Sequence, residues 1–262
     1  MHYLVEVSVL PNPELLADAL WEFGAVGVEE LDGLFRAAFT DRLAAERAVT
    51  EVGGTITAVD DHEGADQWRA FATTTSAGGF LLAPAWTTDS DERTLGIDPG
   101  RTFGSGSHPS TRLALTMLSE LVGHDIRVAD LGAGSGVLSV AAARLGGYAA
   151  AYELDPDAAA IIAENARRNG VADRVTTQIG DLRDTAATIT GCDLAVLNVT
   201  IDLHEQLGPL LRPFLPDRLI VAGVLTGAQE TRAAAAHQRT ITHRISEGDW
   251  AALLLDHPNR SR

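Results

Sequence analysis

Hydrophobic and polar positions along this 262-residue chain follow two regimes. From Thr111 onward, short apolar runs alternate with stretches of helical spacing. The pattern predicts helix 111–121, strand 127–131, helix 137–145, strand 149–154, helix 156–169 and strand 175–179. Strand 194–199, helix 201–214 and strand 218–223 continue it. Strands interleaved with helices of this length build a parallel sheet covered on both faces. The last two runs, 239–245 and 250–256, flank the turn Ser-Glu-Gly-Asp and predict a closing antiparallel hairpin, giving seven strands in all.

Ahead of residue 60 the rhythm changes. Residues 3–9 alternate as a strand, and Asn12-Pro13 opens a helix with Leu15, Leu16, Ala19, Leu20 and Phe23 at helical spacing, stopped at Gly24. Asp32-Gly33, between 25–30 and 34–40, reads as a hairpin turn; Asp41 reads as the cap of helix 42–52, and strand 55–59 follows Gly53-Gly54. The order β-α-β-β-α-β predicts a ferredoxin-like α+β domain over residues 1–60. Residues 61–95 read as a linker region, with Trp68, Phe71 and Trp86 arguing that it packs somewhere. A second, larger domain is expected over 96–262.

Candidate chemistry concentrates where the first strand of the second regime meets its helix, in Val128-Ala-Asp-Leu-Gly-Ala-Gly-Ser-Gly-Val-Leu138. Gly132, Gly134 and Gly136 remove the Cβ atoms that would hold a ligand away, and the helix start offers unpaired N–H groups. A dinucleotide fingerprint wants a third glycine where Val137 stands, which weakens a nicotinamide reading. Asp130 precedes the turn, Glu153 ends the second strand, placed for ribose hydroxyls, and Asp181 follows the third, near an adenine amino group. Acid, glycine turn, acid, acid at successive strand ends is the pattern of S-adenosylmethionine (SAM) enzymes.

Composition narrows the reading. The net charge is −16 and the pI about 4.8, which disfavours broad contact with nucleic-acid phosphate. Half of that charge lies in residues 1–60, where 11 acidic residues face 3 basic ones. All 20 basic residues are Arg, so the enzyme carries no lysine amine of its own. One cysteine, Cys192, excludes an internal disulfide and a multi-cysteine metal site; it is expected as a small buried residue. No apolar run is long enough to span a membrane, and the alternating first residues lack the basic lead of a signal peptide, so a cytoplasmic location is expected.

The loop Ile97-Asp-Pro-Gly-Arg-Thr-Phe-Gly-Ser-Gly-Ser-His-Pro-Ser-Thr-Arg112 is far more polar and glycine-rich than a connection needs. Together with the glycine turn it resembles the ribosomal protein L11 methyltransferase family (PrmA). The resemblance continues through Trp68, Glu153-Leu-Asp-Pro156, Asn165 to Gly170, Val221-Ala-Gly-Val-Leu225 and the terminal hairpin. It implies a class I SAM-dependent methyltransferase fold, Rossmann-like, preceded by a ferredoxin-like domain that recognises the ribosomal protein. It implies methyl transfer from SAM to lysine ε-amino and α-amino nitrogens, an in-line displacement that needs alignment and exclusion of water but no metal. By the same matching, Phe103 and Gly104 border the cofactor, His108 and Thr111 line its methionine end, and Asn198 orients the incoming nitrogen. An Asn carbonyl accepts from an amine without favouring the ammonium, as an Asp would.

The family usually has Asn-Ile-Leu-Ala where this chain has Asn198-Val-Thr-Ile201, followed by Asp202 and His204, residues expected beside the acceptor entrance. Two alternatives stand beside methylation of L11. One is methylation of a different protein or a small-molecule amine; the other is a non-catalytic SAM-binding interaction module. The absence of a Pro-Pro-aromatic run beside Asn198 argues against a base-modifying enzyme.

Overall fold

The computed structural model describes residues 2–8, 16, 19–21, 23–25, 27–31, 34–39, 41–59, 74–87, 91–100, 102 and 106–257. The chain divides into two compact units, residues 1–73 with 101–103, and residues 74–100 with 104–262.

In the first unit, β1 (His2–Ser8), β2 (Gly27–Leu31), β3 (Leu34–Phe39) and β4 (Thr55–Val59) form one sheet in the order β2-β3-β1-β4, with every neighbour antiparallel. Helix α1 (Arg42–Val52) starts where the sequence predicts. Asp41 accepts hydrogen bonds from the Leu43 and Ala44 amides at 3.1 and 3.2 Å, satisfying two N–H groups the first turn leaves open. Its alanines 44, 45 and 48 join Val5, Val7, Leu16, Leu20, Phe35 and Phe39 in the unit's core. The predicted turn residues Asp32 and Gly33 lie outside the described residues, as do Trp68 and Phe71.

The second unit holds the seven-stranded sheet, in the order β10-β9-β8-β11-β12-β14-β13. Its strands are β8 (Arg127–Leu131), β9 (Tyr148–Glu153), β10 (Val175–Ile179), β11 (Leu194–Asn198), β12 (Arg218–Leu225), β13 (Thr240–Glu247) and β14 (Trp250–Asp256). The first five are parallel and the final hairpin runs antiparallel. Helices α2 (Pro109–Leu121), α3 (Val137–Arg144), α4 (Ala158–Arg168), α6 (Ile201–Leu211) and α7 (Ala228–His237) accompany it, with a short α5 (Leu182–Thr185). Alternate residues of the inner strands enter two separate cores: Leu194 and Val196 of β11 on one side, Ala195 and Leu197 on the other. Such strands are apolar throughout because both faces are covered.

The expected linker region reads differently in the structure. Residues 75–97 contribute β5 (Thr75–Ala77), β6 (Phe80–Pro84) and β7 (Thr94–Ile97), a three-stranded sheet within the second unit. Phe80, Leu82, Leu95 and Ile97 join the core of α2 and α3. Arg144 of α3 also donates to the Thr94 carbonyl at 3.2 Å, so burial and hydrogen bonds both hold the segment down.

Candidate active site

Strands β10, β9, β8 and β11 lie side by side and end at the same edge of the sheet. Between β8 and β11 the winding reverses, since β9 and β10 lie to one side of β8 while β11 and β12 lie to the other. Ligands of open α/β sheets bind in the crevice at such a reversal. Each predicted cofactor residue of this sheet sits on a loop or strand end facing that edge.

After β8 the chain turns through Gly132, Gly134 and Gly136, all left-handed, at φ of 75°, 54° and 77°. L-residues avoid that region, so the turn selects glycine. The turn is pinned from both sides. The amides of Gly132 and Ala133 donate to the Tyr152 carbonyl of β9 at 2.8 and 3.0 Å. A Cβ on Gly136 would lie 3.0 Å from two side-chain carbons of Ile162 on α4.

Asp130 is buried beneath the turn, where it accepts from the Ser139 amide at 3.0 Å and the Ser139 hydroxyl at 2.7 Å. Burial pushes its carboxyl up to about 6, against the pull of the two Ser139 bonds. It therefore fixes the start of α3 and, through it, the turn. Glu153 is more open: one carboxylate oxygen accepts from the Gly134 amide at 2.8 Å, the other from the amides of Leu154 and Asp155 at 2.8 and 3.2 Å. Asp181 caps α5, accepting from the Arg183 amide at 2.8 Å, and that bond together with the Arg183 guanidinium holds its carboxyl below the usual range.

At the end of β11, the Asn198 side-chain amide donates to the Thr111 hydroxyl at 3.3 Å, bringing together two residues 87 positions apart. Thr111 lies in the first turn of α2 and is 1% exposed. The backbone beyond Asn198 runs close against β12: Gly223 has a φ of 80°, and a Cβ there would collide with the Val199 carbonyl.

His108 is turned inward. Its Nδ1 accepts from the Ser110 amide at 3.1 Å and lies 2.7 Å from the Ser110 hydroxyl, and its ring meets Trp250 edge-on at 4.6 Å. Burial, reinforced by Arg112, pushes its pKa down to about 3. This geometry makes His108 the cap of α2, with its basic nitrogen committed to that task. His204 does not border the acceptor entrance as expected: it is fully buried, its Nε2 2.9 Å from the Ala222 carbonyl and its Nδ1 3.2 Å from His237 Nε2. Asp202, by contrast, is exposed. Cys192 is half-buried, and burial raises its thiol pKa. Phe103 and Gly104 lie outside the described residues.

Residues 31–258 match the profile of the family described as ribosomal protein L11 methyltransferase (PrmA). The chain belongs to that family. It is similar to the L11 methyltransferase of Thermus thermophilus, at 35% identity over 89% of this chain and 91% of the relative. The L11 methyltransferase of Desulfitobacterium hafniense is 33% identical over 74% of this chain, a match spanning 64% of the relative's length. Among solved structures, the ribosomal protein L11 methylase of Lactobacillus delbrueckii superimposes with a TM-score of 0.58 at 25% identity, over 68% of this chain and 95% of that one.

The second unit of this L11 methyltransferase family member thus has the class I methyltransferase fold, whose cofactor is SAM. The residues present fit that cofactor: a glycine turn with left-handed backbone, Glu153 one strand away and Asp181 one strand further. Sequence reasoning passed over Ser139, and it placed Gly223 and Asn165 only within segments that resemble the family, without assigning either a role; all three shape the site without facing it.

Proposed function

We propose that this chain transfers methyl groups from SAM to amino nitrogens of a protein, with ribosomal protein L11 as the acceptor. The observation that carries the reading is the Asn198–Thr111 hydrogen bond at the strand end next to the glycine turn. Bound SAM supplies an electrophilic methyl carbon. The chain's own task is to bring a neutral amine in line with that carbon and keep it there. With its amide nitrogen engaged by Thr111, Asn198 presents its carbonyl oxygen to an incoming N–H. The partner hydrogen bond limits rotation of the side chain, so the acceptor oxygen is oriented before the substrate arrives.

Site residues proposed for the cofactor are Phe103, Gly104, Thr111, Asp130, Gly132, Gly134, Gly136, Glu153 and Asp181, with Asp130 acting through the shape of the turn; Asn198 borders the cofactor at its methyl end but acts on the acceptor rather than on cofactor affinity. His108 is proposed to act the same way, by capping α2 beneath Thr111. For the first unit, the antiparallel order β2-β3-β1-β4 with a helix packed on it supports a ferredoxin-like domain over residues 1–60. Its acidic surface suits a basic ribosomal protein better than nucleic acid. A cytoplasmic location accompanies a ribosomal substrate. Among the described residues no helix is long and apolar enough to cross a membrane.

The test is methyl transfer from labelled SAM to ribosomal protein, with a small-molecule extract in parallel. Label appearing in L11 at lysine or α-amino positions supports the reading. Label only in the extract, or in another protein, assigns a different amine, and the Val199-Thr200-Ile201 departure is where its selection would lie. No transfer from a chain that binds SAM leaves the binding-module alternative.

A further inference from the structure

Helix α4 and the residue that caps its C-terminus present two asparagines one turn apart to the segment that leads into the polar loop. Asn169 accepts from the Gly96 amide at 3.0 Å and donates to the Gly96 carbonyl at 2.9 Å. Asn165 treats Asp98 the same way, accepting from its amide at 3.0 Å and donating to its carbonyl at 2.9 Å. Gly96 and Asp98 are two positions apart, so in extended chain their backbone groups face the same side. The two side-chain amides therefore stand in for a neighbouring strand along this edge.

Asn165 has a further bond that Asn169 lacks. Its second amide hydrogen goes to the Ser135 carbonyl at 2.9 Å, inside the glycine turn, whereas that of Asn169 stays within its own helix end, on the Asn165 carbonyl at 2.8 Å. Both Asn165 and Ser135 are 0% exposed. One buried side chain thus ties Asp98 to the turn, and the same helix face carries Ile162, against which Gly136 is packed. The site demands one acceptor and two donors on a short arm. Asp lacks the donors, Ala lacks everything, and a buried amide with fewer partners would be costly. Asn is also a poor helix former, so propensity does not account for it.

We propose that Asn165 is a positioning residue for SAM: it couples the Gly96–Gly100 segment to the glycine turn and so fixes how the turn's backbone is presented to the cofactor. This rests on the turn being the SAM site. Calorimetry of SAM binding by the full chain tests it, comparing wild type, Asn165→Ala and Asn169→Ala, with thermal unfolding recorded for each. Both variants lose a strand-like pair of bonds and should unfold at lower temperature. Only Asn165→Ala should lose SAM affinity by tenfold or more, with Asn169→Ala within threefold of wild type. Equal losses in the two variants, or an Asn165→Ala affinity within twofold of wild type, would overturn the proposal. Failure of the wild type to bind SAM would remove the cofactor assignment itself and the proposal with it. Should Asn165→Ala not fold, isosteric Asn165→Asp, which keeps the acceptor for the Asp98 amide but has no donor for the Asp98 or the Ser135 carbonyl, is read by the same criteria.

Discussion

Among the carboxylates of the site Glu153 and Asp130 have different surroundings, and substitution of Glu153 should behave differently from that of the amide Asn198. Glu153 holds three backbone N–H groups and sits at the strand end beside the glycine turn. Glu153→Ala should weaken SAM binding by roughly 1.5–3 kcal/mol, the worth of charge-assisted hydrogen bonds. Calorimetry showing unchanged affinity would remove it from the site. Asn198→Ala should instead keep SAM affinity within about 0.5 kcal/mol and lose tenfold to roughly a thousandfold in rate, because its carbonyl acts on a nitrogen in place only during reaction. A variant with full kcat would mean that the acceptor is held elsewhere. The place of Glu153 was readable from residue type and strand-end position, whereas the role expected of Asn198 came from the family resemblance. The role of Asp130 was not: an acid before a glycine turn looks like a ligand contact, and only burial and its two bonds to Ser139 show it as a brace.

At the scale of elements, legibility followed length and periodicity. Strands 127–131 and 175–179 and helix 42–52 begin and end where the apolar pattern does, and helix 156–169 is found as Ala158–Arg168. The strands β5 to β7 were missed, since runs of three to five residues broken by Gly and Pro carry no decisive period. Helix α7 was missed too; Gln-Glu-Thr-Arg-Ala-Ala-Ala-Ala offers the core only small residues, so it has no apolar stripe to read. Placing β5 to β7 in the second unit has a measurable consequence. A chain beginning at residue 74 should fold and bind SAM, whereas one beginning at residue 98 should not fold. The shorter chain forfeits burial of Phe80, Leu82, Leu95 and Ile97 at about 1.5–3 kcal/mol each. That loss rivals the whole stability of a domain, about 5–15 kcal/mol. A cooperative thermal transition in the shorter chain would contradict the assignment of these strands to the core.

For the whole molecule, buried histidines set the response to acid. Burial lowers His108 and His237 to about 3 and His204 to about 4, against 6.5 for the free side chain. The unfolded chain therefore takes up these protons first. Their contribution is complete above about 6.5 and is lost as pH falls toward the folded values, by up to about 1.4 kcal/mol per pH unit for each group. Asp130 has the opposite sign: raised from 3.8 to about 6, it favours the folded state below 3.8 and loses that contribution as pH rises through 6. Three groups oppose one, so the midpoint of urea unfolding should fall between about pH 7 and about pH 5. A midpoint that stays level or rises would show that the histidines are not buried as neutral rings.

A SAM site and an amine-orienting asparagine meeting at one sheet edge are proposed to methylate a protein. The most direct measurement is the intact mass of purified L11 after incubation with SAM and either the wild-type chain or Asn198→Ala. The account predicts that the wild type raises the mass in whole multiples of one methyl substitution, and that the variant does so at least tenfold more slowly. An unshifted mass with wild type that demonstrably binds SAM would contradict it.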